Sequence, residues 1–175
     1  VSRHFGEDLA LSHGDRQRWD RFYRSRYPDC EIINGEKSPM LQGLGADVIL
    51  KRPNGKQILV EEKARTTAFC DCLIEIWSVF YGDDDPRNVP GWSVHPDKHA
   101  EWLAYAVRPL GRCWLLPFGE YRAFACEIVR GPHVTRQSFT VAKDGKRWST
   151  LHTSVEWAEV YHALRLSAAD VCFEW

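Results

Sequence analysis

At 175 residues the chain has the length of one domain, and its 44% apolar and 13% aromatic residues are enough for a sizeable core. A formal net charge of −1 excludes a nucleic-acid binder recognisable from composition alone, so a polyanionic partner would have to meet local basic patches or a bound metal. No apolar run approaches the ~20 residues that cross a bilayer, and the six cysteines form no CxxC pair. With no basic segment followed by an apolar run at the start of the sequence, the plainest reading is a reduced, cytoplasmic protein without membrane association.

In chain order, Ser12 precedes "HGDRQRWDRFYRSR", where Asp15, Trp19, Phe22 and Tyr23 recur on one side at helical spacing; Pro28 predicts an end near Arg26. Next comes "GADVILKRPNGKQILVEEK", residues 45–63, which reads as two strands joined by a turn. A third strand is expected in "CLIEIWSVF", mostly apolar and therefore interior to its sheet, followed by the polar loop "YGDDDPRNVPGW". Pro96 is placed to open a second helix through "DKHAEWLAYAV", which Pro109 and Gly111 would close. "RCWLLPF" reads as a fourth strand and "SFTVAKDGKRWSTL" as a hairpin, and Thr153 with Glu156 forms a capping box before "VEWAEVYHAL". The expected class is α/β, a mixed sheet containing an antiparallel hairpin and flanked by helices.

The hairpin carries the chemistry. Pro53 suits position i+1 of a type I turn, Asn54 position i+2, and Gly55 the left-handed residue of a G1 bulge, so a three-residue loop is predicted. Arg52 then faces Lys56, Leu50 pairs with Ile58, Ile49 with Leu59, Val48 with Val60, and Asp47 with Glu61. Alternation puts Asp47, Glu61 and Lys63 on one face and Val48, Leu50, Ile58 and Val60 on the other. Two opposed carboxylates repel unless a cation sits between them, and oxygen ligands from two side chains, completed by water and phosphate, suit Mg²⁺. A lysine beside such a site can stabilise developing charge or help orient and deprotonate an attacking water. The plainer alternative makes 61–63 a solvated strand end and Asp47 a turn cap.

Asp47 behind a glycine, the short hairpin, and Glu61-Glu62-Lys63 as an ExK element resemble the PD-(D/E)xK phosphodiesterase superfamily. That is the restriction-endonuclease-like fold, shared with Holliday junction resolvases and phage exonucleases. The resemblance covers residues 5–118 of what would be a single nuclease-like domain over 1–175, leaving 119–175 as a strand and helix extension. It implies a metal-dependent endonuclease or exonuclease acting on DNA with Mg²⁺ or Mn²⁺. Asp47 and Glu61 would be metal ligands, the Glu62 carbonyl a further ligand, and Lys63 catalytic. Many members add an acidic residue from the first helix, commonly a glutamate within it. This sequence offers Asp15 or Asp20, with Glu7 and Asp8 also available, and Asp15 is preferred because it shares the core side with Trp19. Compact members are often encoded by bacteria and phages, and cutting both strands of a duplex implies a homodimer.

Other residues carry two readings each. Lys98 shares a face of the expected second helix with Trp102 and Tyr105 and is a candidate phosphate contact, or simply an exposed lysine. Glu75 interrupts an apolar strand, either to face the site or to pair with an arginine. Lys51 and Arg52 at the hairpin tip, Arg65 beyond the ExK element, and Trp92 as a base-stacking ring are candidate substrate contacts. Cys70, Cys72, His95 and His99 lack standard zinc spacing, and no GxSxG, Walker or GxGxxG motif occurs. The alternatives to a nuclease are a nucleic-acid-binding or assembly module on the same fold without catalysis, and a partner-binding protein whose charged cluster is surface decoration.

Overall fold

The computed structural model describes residues 3–35, 38–141 and 147–175, with the side chains of 3–14, 140 and 141 outside that description. A short strand β1 (Arg3–His4) leads directly into helix α1 (Phe5–Arg26), which begins earlier than Ser12 and ends where expected. Trp19, Phe22 and Tyr23 are buried on one side of α1, as their spacing requires, and Asp15 is buried with them.

A six-stranded mixed sheet forms the centre, in the order β11 (Cys172–Glu174), β8 (Arg112–Pro117), β7 (Trp102–Val107), β4 (Gln57–Arg65), β3 (Val48–Lys51), β2 (Glu31–Asn34). Its meander is β2 (Glu31–Asn34), β3 (Val48–Lys51) and β4 (Gln57–Arg65), with the short helix α2 (Pro39–Gly43) between β2 and β3. The β3–β4 register is the one the turn chemistry demands: Val48 opposite Val60, Ile49 opposite Leu59, and Leu50 opposite Ile58. Gly55 has φ +81°, and its N–H donates to the Arg52 carbonyl at 2.9 Å, as a G1-bulge loop requires. Val48, Leu50, Ile58 and Val60 pack against Trp19, Phe22 and Tyr23 of α1, where each fully buried large apolar side chain contributes about 1.5–3 kcal/mol.

The chain then leaves this sheet. β5 (Asp71–Phe80) lies between β10 and β6 in a second sheet of order β1-β9-β10-β5-β6, built with β6 (Val89–Pro90), β9 (Arg136–Val141) and β10 (Arg147–Glu156). Two tyrosines anchor β5, one from the central sheet and one from the helix over Phe118–Arg130: the Leu73 N–H donates to Tyr105 Oη at 3.1 Å, and Tyr121 Oη donates to the Leu73 carbonyl at 3.2 Å.

The expected helix over 96–107 is instead β7 (Trp102–Val107), parallel to β4. A central parallel strand is buried on both faces and shows no polar alternation. Leu103, Tyr105 and Val107 face the second sheet and Ala104 and Ala106 face α1, so "WLAYAV" carries no strand period to read. Lys98, Trp102 and Tyr105 therefore share no helical face, and Lys98 lies in the loop before β7.

β8 (Arg112–Pro117) follows as predicted, and helix α3 (Phe118–Arg130) comes after it. Thr153 belongs to β10, its hydroxyl donating to the Val134 carbonyl at 2.8 Å, and it makes no capping box. Pairing with β5 extends β10 to Glu156, so helix α4 (Trp157–Leu164) starts only after it, with no side-chain cap. The C-terminal third is woven into both sheets, β10 beside β5, and β11 (Cys172–Glu174), after the short helix α5 (Ala168–Val171), beside β8. All six cysteines are free thiols. No helix among the described residues is long and apolar enough to cross a membrane.

Candidate active site

On the face of the central sheet opposite α1, Asp47, Glu61 and Lys63 line one cavity of about 460 Å³. The second sheet and the loop before β7 supply its other wall, through Glu75, Ser78, Trp92, His95 and Lys98, while Gln42 of α2 closes one side. The hairpin sets the first three. Asp47 lies just before β3, its N–H donating to the Val60 carbonyl at 2.9 Å, while Glu61 and Lys63 are two residues apart on β4 and so share a face.

Each carboxylate is held. Asp47 Oδ2 accepts from the Glu62 backbone N–H at 2.8 Å and Oδ1 from Gln42 Nε2 at 3.1 Å. Gln42 in turn is tied through its carbonyl to Lys98 Nζ at 2.8 Å, and the Lys98 carbonyl accepts from Arg122 Nη1 at 2.6 Å. Glu61 is only 2% exposed, and its Oε1 meets Lys63 Nζ at 2.6 Å. Gly45, at φ +73°, makes the approach feasible: a Cβ there would fall 2.5 Å from Lys98 Cδ and 3.3 Å from Glu61 Oε2.

Burial raises the Glu61 carboxyl above its ordinary value and Asp47 adds to this, while Lys63 opposes both. Burial alone would lower the Lys63 ammonium, but Glu61, Asp47 and Glu75 outweigh it and hold the lysine strongly protonated. This is the electrostatics of a cavity where three carboxylates, Asp47, Glu61 and Glu75, meet two lysines, Lys63 and Lys98.

The described residues contain no group of three or more His, Cys, Asp or Glu gathered as a metal site. Of the three carboxylates lining the cavity, Asp47 and Glu61 come from the β3–β4 hairpin, a pair that matches the habit of Mg²⁺ to bind through one or two carboxylates and complete its shell with water and substrate phosphate. The ammonium resting on Glu61 already occupies a cation's place in this donor set.

The remaining expected residues are distributed unevenly. The Glu62 side chain points to the α1 side, where it pairs with Arg16 at 3.0 Å; burial is the largest influence on it and pushes its carboxyl up to about 7. Asp15 does not line the cavity: it pairs with Arg108, a partner 93 residues away in sequence. Asp20 pairs with Arg16 at 2.9 Å, and the side chains of Glu7 and Asp8 lie outside the described residues. Lys51 pairs with Glu31 at 3.1 Å, Arg52 sits exposed at the hairpin tip, and Arg65 is bound to Asp71, so none of the three lines the cavity. Lys98 does line it, from a loop and not from a helix.

Trp92 is no free stacking platform. It is 8% exposed and stacked on Tyr121 with ring centroids 5.8 Å apart, because its loop folds under the second sheet into the core. Its ring lies 5.4 Å from Lys63 Nζ.

Sequence reasoning left Glu75 undecided and passed over Gln42 and Ser78. A charge inside an apolar strand was the available signal for Glu75, and the structure turns it toward the cavity. Nothing local marks Gln42, whose role depends on α2 docking beside Asp47.

No protein-family model matches the chain, and no curated protein matches it in sequence. Among solved structures it is similar to a bacterial homing endonuclease, I-Ssp6803I, with a TM-score of 0.42 and 11% identity, over 63% of this chain and 70% of that one. A likeness at that level carries no argument about activity, which has to be drawn from the cavity itself.

Proposed function

We propose that the chain is a divalent-metal-dependent nuclease that hydrolyses DNA phosphodiesters in the cleft between the two sheets. The observation that carries this reading is the placement of Asp47, Glu61 and Lys63 in one cavity by a hairpin of defined register. The resemblance of these residues to the PD-(D/E)xK pattern points the same way.

Asp47 and Glu61 would hold the cation, with the Glu62 carbonyl as a further ligand. A bound Mg²⁺ or Mn²⁺ supplies Lewis acidity toward a phosphate oxygen and makes water a better nucleophile at neutral pH. Gln42 and the Glu62 N–H keep the Asp47 carboxylate aimed into the cleft, so the site is organised before substrate arrives. Lys63, whose protonated form the surrounding acids favour, would orient the attacking water or stabilise charge on the phosphate. Lys98, whose ammonium donates to the Gln42 backbone carbonyl at the cavity wall, would meet a neighbouring phosphate. Cleavage of both strands would bring two copies together as a homodimer.

The test is incubation with supercoiled, linear and branched DNA in Mg²⁺, Mn²⁺ or chelator. Metal-dependent cleavage of at least one substrate is expected. DNA binding that survives chelator without cleavage would favour a binding module, and neither binding nor cleavage would favour a partner-binding protein.

A further inference from the structure

Lys63 and the cation of the proposed site compete for the same carboxylate. The ammonium lies 2.6 Å from Glu61 Oε1, and two cations crowded onto one carboxylate repel. A lysine that stays on Glu61 therefore weakens metal binding, and one that leaves needs somewhere to go. Its long, flexible stem allows such a move.

The opposite wall offers a second seat. Glu75 lies on β5, across the cavity from β4, and acts electrostatically on Lys63 without forming an ion pair with it. Its position is tightly specified. The Glu75 N–H donates to the buried Ser93 hydroxyl at 3.0 Å, and Gly91 presses so close that a Cβ there would fall 2.0 Å from the Glu75 carbonyl oxygen. The Ser78 hydroxyl and the Trp92 backbone N–H both donate to Glu75 Oε1, which leaves Oε2 without a hydrogen-bond partner among the described residues. The Trp92 ring on the same wall already lies 5.4 Å from the ammonium and attracts it by cation–π interaction.

We propose that Glu75 is a positioning residue: with Trp92 it seats the Lys63 ammonium when a divalent cation takes Glu61, so that lysine and metal share the cleft. This rests on the nuclease reading of the same site. In this proposal Glu75 acts through Lys63 and not as a metal ligand.

The test is a double-mutant cycle on Mn²⁺ binding, read from the electron paramagnetic resonance signal of free Mn²⁺. The proteins are wild type, Glu75→Gln, Lys63→Met and the double variant, with Asp47→Asn as the metal-site control. Glu75→Gln is expected to weaken Mn²⁺ binding about tenfold while Lys63 is present, a coupling typical of interacting charged groups. In the Lys63→Met background the same substitution should change affinity less than about twofold, because no ammonium remains to be displaced. An equal loss in both backgrounds would make Glu75 a direct ligand or a structural residue and overturn the proposal, as would an unchanged affinity in the single variant. If wild type and Asp47→Asn bind Mn²⁺ alike, the metal reading fails, and this inference fails with it.

Discussion

Glu62 offers a quantitative test of how the ExK strand is built. Its two neighbours on β4 face the cleft, whereas its own side chain is buried against α1, where Arg16 Nη1 meets Oε2. Burial pushes its carboxyl from an ordinary 4.5 up to about 7, and Arg16 offsets this only in part. Between these two pH values the unfolded chain gives up a proton that the folded chain keeps, so stability is full below the lower value and falls as pH rises toward the upper one. The gap from 4.5 to about 7, at roughly 1.36 kcal/mol per pH unit, amounts to about 3 kcal/mol, with no further loss from this group above pH ~7. Urea unfolding in chelator, at a series of pH values from 4.5 to 8, should show this fall in wild type and a correspondingly flatter profile in Glu62→Gln. Glu61 is raised by burial in both proteins, so the difference between the two curves isolates Glu62. Parallel curves would refute the reasoning and mean that Arg16 fully compensates the buried charge.

Three other substitutions separate structural from chemical roles. Gly45→Ala places a Cβ 2.5 Å from Lys98 Cδ in a left-handed backbone, and it should lower stability by about 1–2 kcal/mol in thermal melts and weaken DNA binding through Lys98. Trp92→Ala should cost about 3–5 kcal/mol of stability, because the ring is stacked in the core; selective loss of DNA affinity with an unchanged melting temperature would contradict that placement. Asp15→Asn should destabilise by about 1–3 kcal/mol through its pair with Arg108, yet leave Mn²⁺ affinity as in wild type, whereas a large drop in affinity would return Asp15 to the metal site.

The parts of this fold readable from sequence are those governed by local chemistry. Pro53-Asn54-Gly55 determines the turn, the turn determines the register, and the register puts Asp47, Glu61 and Lys63 on one face with no knowledge of the rest of the chain. The same logic works for the buried side of α1. It fails at β7, where burial on both faces erases the strand period and Pro96 imitates a helix start. Helix α3 carries a signal of the same local kind, since Phe118, Tyr121, Phe124 and Ala125 recur at helical spacing and are buried, and it was passed over. The outer half of the site was legible only as separate candidates, Glu75, Trp92 and Lys98, and not as one wall, because Glu75 reaches it only when β5 pairs with β10, some 70 residues further along the chain. Asp15 shows the converse. Its burial followed from periodicity, but its partner, Arg108, is joined to it only by tertiary packing.

The most direct test of the account is cleavage of supercoiled DNA in Mn²⁺ by wild type and by Asp47→Asn, with both shown to be folded by their melting temperatures. The account predicts nicking or linearisation by wild type and a loss of at least about a hundredfold in the variant, the scale on which removing one catalytic electrostatic contact acts. Equal cleavage by the two proteins would contradict it.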